Sequence, residues 1–189
     1  MIDPASIIRI AAKGDGVTAD GRHVPMSAPG DRLMSDGGLD YGPHHAAPLC
    51  VHYPLCGGCQ LQHLDEESLA DYVRERVAGA LIGQGIEGAH VLPAILSAPQ
   101  TRRRAALRVA RLGKKTALGF SSEGSHRIVD LSMCAVLHPA LFALVEPLRV
   151  LLADMVGERR AAHVKLTLAD QGVDVLIEGV EAEGLAAAE

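Results

Sequence analysis

The sequence predicts an α+β chain, with a small β-barrel or part of one followed by a larger domain that mixes antiparallel strands with helices. Three observations carry this. Short apolar runs separated by Gly and Asp turns fill the first forty-odd residues, one stretch near the middle keeps helical spacing, and period-two alternation recurs in the second half. No internal repeat overlies these patterns.

In order along the chain, Ile7, Ile8 and Ile10 precede the turn K-G-D-G (13 to 16), Val17 precedes D-G (20 to 21), and Val24 precedes A-P-G-D (28 to 31). Strands this short, punctuated by residues that accept tight turns, fit a small barrel. Residues 35 to 48, SDGGLDYGPHHAAP, have little periodicity and read as a linker or irregular loop. Leu69, Tyr72, Val73, Val77, Ala80 and Leu81 then recur at helical spacing, with Asp65, Glu66 and Glu67 where a first turn favours acids. This predicts a helix of about five turns. The G-Q-G-I-E-G that ends it (83 to 88) matches a dinucleotide-binding string, but follows a helix instead of a strand, and so reads as a cap and loop.

Val91 to Ser97 is expected as a strand. If Thr101 to Leu112 is extended, Arg102, Arg104 and Arg108 share the face opposite Leu107 and Val109. Thr116 to Phe120 and His126 to Leu131 complete an antiparallel meander. From Pro139, the residues Leu141, Leu144, Val145, Leu148, Leu151, Leu152 and Met155 make an apolar helical stripe that Pro147 should kink or split. Val164, Leu166 and Leu168 alternate, A-D-Q-G turns, and Val173, Val175 and Ile177 alternate again, which is a hairpin pattern. The last residues, E-A-E-G-L-A-A-A-E, read as the first turns of something unfinished. Residues 1–45 and 46–189 are the expected domains.

Composition narrows the function classes. Hydrophobic residues are 48% of the 189 and charged ones 22%, as in globular chains, while aromatics are only 3%. Base stacking therefore has little material. Without an export signal or a membrane-length apolar run, a cytoplasmic protein with no membrane partner is expected, and its thiols should stay reduced. The net charge of −5 hides a concentrated basic stretch: Thr101 to Lys115, TRRRAALRVARLGKK, has seven of the 18 Lys and Arg residues and no acid. A charge run is ordinarily a solvated face, but cations this dense repel one another unless a polyanion meets them. Arg102, Arg103, Arg104, Arg108, Arg111, Lys114 and Lys115 are thus candidate RNA contacts through phosphate neutralisation. His63 and His126 read as structural histidines.

Cys50, Cys56, Cys59 and Cys134 are spaced C-x5-C-x2-C-x74-C. Structural zinc more often takes two close pairs, whereas an iron–sulfur cluster accepts three thiolates from one loop and a fourth from elsewhere. Both ligand sets are all-thiolate, and spacing alone leaves cluster and zinc open. Gly57 and Gly58 would let the loop wrap closely and point N–H groups at a cluster's sulfurs.

C-G-G-C-Q-L-Q-H (56 to 63), T-R-R-R-A (101 to 105) and L-G-F-S-S-E-G-S-H-R-I-V-D-L-S-M-C (118 to 134) resemble the class I S-adenosylmethionine-dependent RNA 5-methyluridine methyltransferases of bacteria, of the type that modify large-subunit ribosomal RNA. K-G-D-G-V (13 to 17) and A-P-G-D (28 to 31) resemble the TRAM domain, an OB-like barrel at the N-terminus of these enzymes. Residues 32 to 48 are short for its last strands. The resemblance implies a [4Fe-4S] cluster on Cys50, Cys56, Cys59 and Cys134. It also implies RNA contact by the TRAM and central domains, Arg127 included, with ribosomal RNA and not DNA as partner. The family's S-adenosylmethionine loop, attacking cysteine and proton acceptor lie in a C-terminal Rossmann-like domain and have no counterpart here. The expectation is the N-terminal part of such an enzyme, from a truncated gene or a fragment, inactive alone.

Overall fold

The computed structural model describes residues 2–113, 115–157 and 160–180. They form two compact units that interleave along the chain, one of residues 1–49 and 61–96, the other of residues 50–60 and 97 onward. The architecture is α+β, with mostly antiparallel sheets and few helices.

The first unit starts with β1 (Ile7–Ile10), β2 (Gly16–Thr18) and β3 (His23–Val24), an antiparallel sheet in that order. The K-G-D-G and D-G turns join them, and Gly14 and Gly21 both take positive φ there. β4 (Arg32–Leu33) and β5 (Leu39–Asp40) make a two-stranded hairpin. The stretch 35–48 is therefore not wholly irregular: the Met34 N–H donates to the Gly38 carbonyl, and S-D-G-G is the hairpin turn. Alternation over two residues is too short to register in a sequence.

Asp31 is fully buried in this unit, where its carboxylate accepts the N–H of Ala28 at 2.8 Å and of Gly42 at 2.7 Å. It also meets His45 Nδ1 at 2.7 Å, so the A-P-G-D turn is tied to the 41–45 segment by one side chain. Tyr41 stacks on His45 at 3.9 Å between ring centroids.

α1 (Glu66–Gly83) has the expected five turns and starts where the acids predict, with Asp65 as N-cap accepting the Ser68 N–H at 2.8 Å. Its apolar spacing does not translate into burial. Ser68 is the buried residue of the helix, and Val73 and Val77 are exposed. Residues 91–97 form no strand; the segment is irregular, with Leu92 and Ile95 exposed, because no neighbouring strand takes up its backbone.

The second unit is a five-stranded antiparallel sheet in the order β10-β9-β6-β7-β8. Its strands are β6 (Arg104–Leu112), β7 (Lys115–Ser121), β8 (Ile128–Asp130), β9 (Ala161–Ala169) and β10 (Gly172–Glu178). Alternation sorts the residues: Ala105, Leu107 and Val109 of β6 and Ala162, Val164 and Leu166 of β9 are buried on one face. α2 (Pro139–Phe142) and α3 (Val145–Leu152) cover that face through Leu141, Val145, Leu148 and Leu152. The apolar stripe does divide in two, but at Ala143 and Leu144, upstream of Pro147. Pro147 sits in the first turn of α3, where a missing N–H breaks no helical bond.

The β9–β10 hairpin turns at A-D-Q-G as its sequence predicts. The terminal E-A-E-G-L-A-A-A-E lies outside the described residues.

Candidate nucleic-acid interface and thiol cluster

The cysteine loop belongs to the second unit, so all four cysteines do. The loop is built from successive turns: Tyr53 N–H donates to the Cys50 carbonyl, Cys56 N–H to that of His52 and Cys59 N–H to that of Cys56. It then pairs with the end of β7, where Cys56 forms an antiparallel bridge with Ser122 and the Gly57 N–H donates to the Ser121 carbonyl at 2.9 Å. A Cβ on Gly57 would stand 2.7 Å from that carbonyl, and one on Gly58 would stand 3.2 Å from the Phe120 ring and 3.4 Å from Cys56 Sγ. Both glycines therefore serve close approach. The Gly58 N–H bonds Cys56, while the Gly57 N–H goes to backbone.

None of the four cysteines forms a disulfide. Burial pushes the Cys56 thiol up, the Gly58 N–H pulls it back, and Cys59, Cys50 and Cys134 push it up further as neighbouring charges. Cys56 thus stands within electrostatic reach of the other three. Cys134 also packs against the sheet's core. His52, which sequence reasoning passed over, ties the loop to the segment leading to Cys134: its Nε2 accepts the Ser132 N–H at 3.1 Å. Thiols are soft donors of the kind a thiophilic metal takes, but among the described residues no three of the cysteine sulfurs lie within 4.8 Å of one another.

The first unit has a tighter donor group of another kind, His44, Asp65 and Glu67, with ligand atoms within 4.8 Å of one another. The Asp65 carboxylate 2.9 Å from His44 Nδ1 raises the imidazole above its ordinary value, and the N-terminus of α1 disfavours metal charge.

The basic run separates in space. Arg104 and Arg108 lie on the sheet face opposite the buried Leu107 and Val109, in register with Thr167 and His163 of β9. Arg102, just before β6, donates from Nη1 to the Gly58 carbonyl at 3.3 Å, which places it against the cysteine loop. Arg103 turns the other way, towards the Leu168 carbonyl and Asp170. Arg111 and Lys115 are exposed at the far end of the β6–β7 hairpin, and Arg127 is exposed in the β7–β8 turn. Lys114 lies outside the described residues.

His163 and Lys165 join the open face from β9, and Lys165 is paired with Glu178 at 2.7 Å. Their alternation with Val164 and Leu166 was the available signal. His126 contributes a backbone carbonyl to Arg108 Nη1 at 3.2 Å, a structural part. His63 is buried in the first unit, where burial lowers its basicity. Among the described residues, no helix is long and apolar enough to cross a membrane.

No protein-family model matches the chain. Among curated proteins it is 44% identical over 171 residues to an uncharacterized RNA methyltransferase of Zymomonas mobilis, covering 90% of this chain and 43% of that protein. It is 42% identical over 134 residues to the 23S rRNA (uracil(1939)-C(5))-methyltransferase RlmD of Halomonas elongata, covering 69% of this chain and 28% of the relative. The counterpart from Chromohalobacter salexigens is 31% identical over 194 residues, or 93% of this chain and 41% of the relative. The chain spans less than half the length of these relatives.

Proposed function

We propose, from a chain that is related to the bacterial RNA methyltransferases over about nine-tenths of its length, that residues 1–189 form the RNA-recognition and cluster-binding part of an S-adenosylmethionine-dependent rRNA uracil-C5 methyltransferase. What supports this reading is the relation to those methyltransferases, together with the placement of Cys50, Cys56, Cys59 and Cys134 in the same unit as the arginine-bearing strand β6. Residues 1–45 would serve as a TRAM-type, OB-like RNA-binding domain, and the rest as the central domain.

The four thiols would hold a [4Fe-4S] cluster in a structural role, since four protein ligands leave no open iron. The chain's own residues do the remainder. His52 holds the loop to the Cys134 segment, Gly57 and Gly58 let it sit against β7, and Arg102 joins it to the basic strand. The RNA contacts proposed are Arg102, Arg103, Arg104, Arg108, Arg111, Lys114, Lys115 and Arg127, through phosphate charge. Methyl transfer needs a nucleophile and a cofactor loop besides these, so residues 1–189 alone are expected to transfer no methyl group from S-adenosylmethionine to ribosomal RNA in a radiolabel assay.

Iron, acid-labile sulfide and zinc are to be measured on the chain purified without oxygen. About four iron and four sulfide per chain are expected, with a brown colour lost in air. Stoichiometric zinc without sulfide would replace the cluster with a zinc-stabilised interaction domain.

A further inference from the structure

β10 is the last strand of the five-stranded sheet, and among the described residues no strand pairs with its outer edge. The unpaired N–H and C=O groups of such an edge are a template for another strand, and folded proteins ordinarily blunt them with a short strand, Pro, Lys, a bulge or an inward-pointing charge. The opposite edge is blunted: β8 has three residues and ends at Asp130, which is held by Arg149 at 2.9 Å. β10 has none of these devices. Its seven residues, GVDVLIE, contain neither Pro nor Lys and run in unbroken register with β9, from Gly172 opposite Ala169 to Glu178 opposite His163.

The core is unfinished at the same edge. Val173, Val175 and Ile177 lie opposite Leu168, Leu166 and Val164, on the face that packs against the helices. α2 packs on β9 and α3 on β7, so the helical layer thins towards β10. Leu166 is 1% exposed, whereas Val175 beside it is 38% exposed. On the other face of the strand, Leu176 is 47% exposed.

We infer that the outer edge of β10 pairs antiparallel with β10 of a second copy of this chain, about a two-fold axis through Val175. Directly opposed residues of an antiparallel pair share a face, so the axis passes through a residue and not between two. With the axis at Val175 the strands overlap along their whole length. Val173 then meets the partner's Ile177, Val175 meets the partner's Val175, and Asp174 meets the partner's Leu176. No like charges oppose one another. An axis at Asp174 would set that carboxylate against the partner's Asp174, and an axis at Leu176 would set Asp174 against the partner's Glu178, both of them repulsive. Charge therefore selects one register, and in that register the β-branched residues of both copies make one apolar row across the open end of the core. Such a two-fold contact closes on itself, which ends assembly at a dimer and not a fibre. Seven paired residues span only about 23 Å, so the interface is small and the dimer weak.

The test is sedimentation velocity of the whole chain over a range of concentrations. A monomer at about 1 μM that becomes a dimer by about 100 μM is expected for an interface of this size. Leu176→Asp sets a carboxylate opposite the partner's Asp174, twice across the axis, and should weaken association about tenfold. Within its own copy the new carboxylate lies beside Lys165, which suits the folded strand. Adding Asp174→Lys to Leu176→Asp turns both repelling pairs into attracting ones, and should return association to the wild-type level or above it. Rescue by a second charge change is specific to this register, since neither a generally sticky surface nor a disturbed fold would be repaired by it. A chain that stays monomeric at every concentration would overturn the pairing and leave the edge to another partner. So would a Leu176→Asp variant that associates like wild type, or a double variant that stays as weak as the single one.

Discussion

Cys134→Ser is expected to unfold the second unit, lowering its stability by more than about 4 kcal/mol, in the range reached when a metal site is lost. In the proposed site Cys134 is the ligand that comes from the far side of the sequence, 75 residues beyond Cys59. Its side chain packs against the cluster of Leu107, Leu118 and Leu137 that forms the sheet's core. Without it, the proposed centre would keep only the three thiols of residues 50–59, and burial already disfavours ionised sulfur at Cys56. The loop would be left to the Gly57–Ser121 bond, the Arg102–Gly58 contact and the His52 clasp.

Urea unfolding followed by circular dichroism, run beside metal analysis, checks this. Loss of metal with loss of the cooperative transition is the expected pair. A variant that keeps full thermal stability and full RNA affinity would show that the thiols are bystanders in the fold.

Asp31→Ala should destabilise the first unit by about 3 to 5 kcal/mol, the scale found when one partner of a buried pair is removed. The carboxylate is fully enclosed and meets two backbone N–H groups and His45, so its loss orphans all three at once. Asp31→Asn keeps an acceptor and should lose less. Segment-resolved hydrogen exchange is the suitable measurement, because the chain has no Trp to report unfolding and two units would overlap in a bulk signal. Exchange should rise across residues 7–45 while residues 104–112 and 161–178 stay protected. Unchanged exchange in both segments would mean that the A-P-G-D turn holds without its acid.

Much of this protein is legible before folding. The β9–β10 hairpin, the core face of β6 and the start of α1 all follow from local rules, since alternation and capping act within a few residues. The four cysteines could be picked out in the same way, although their ligand could not. Other features escaped. The β4–β5 hairpin is too short to show periodicity, and the apolar spacing of Val91 to Ser97 found no strand to pair with. His52 and Phe120 gave no signal, because one acts through Ser132 and the other by its place beneath Gly58.

The sequence by itself determined the longer strands and α1, the cation run and the thiol inventory, because each depends on residue type and near-neighbour spacing. Only the tertiary structure decided that residues 50–60 leave their chain neighbours and pack with residues 97 onward. It also decided that the cation run divides, with Arg104 and Arg108 on the open face of the sheet, Arg103 turned towards Asp170, and Arg111 and Lys115 at the far end of a hairpin. The physical reason is that both outcomes are set by backbone pairing and close approach between segments distant in sequence. The Cys56–Ser122 bridge joins residues 66 apart, and no local pattern encodes such a partner.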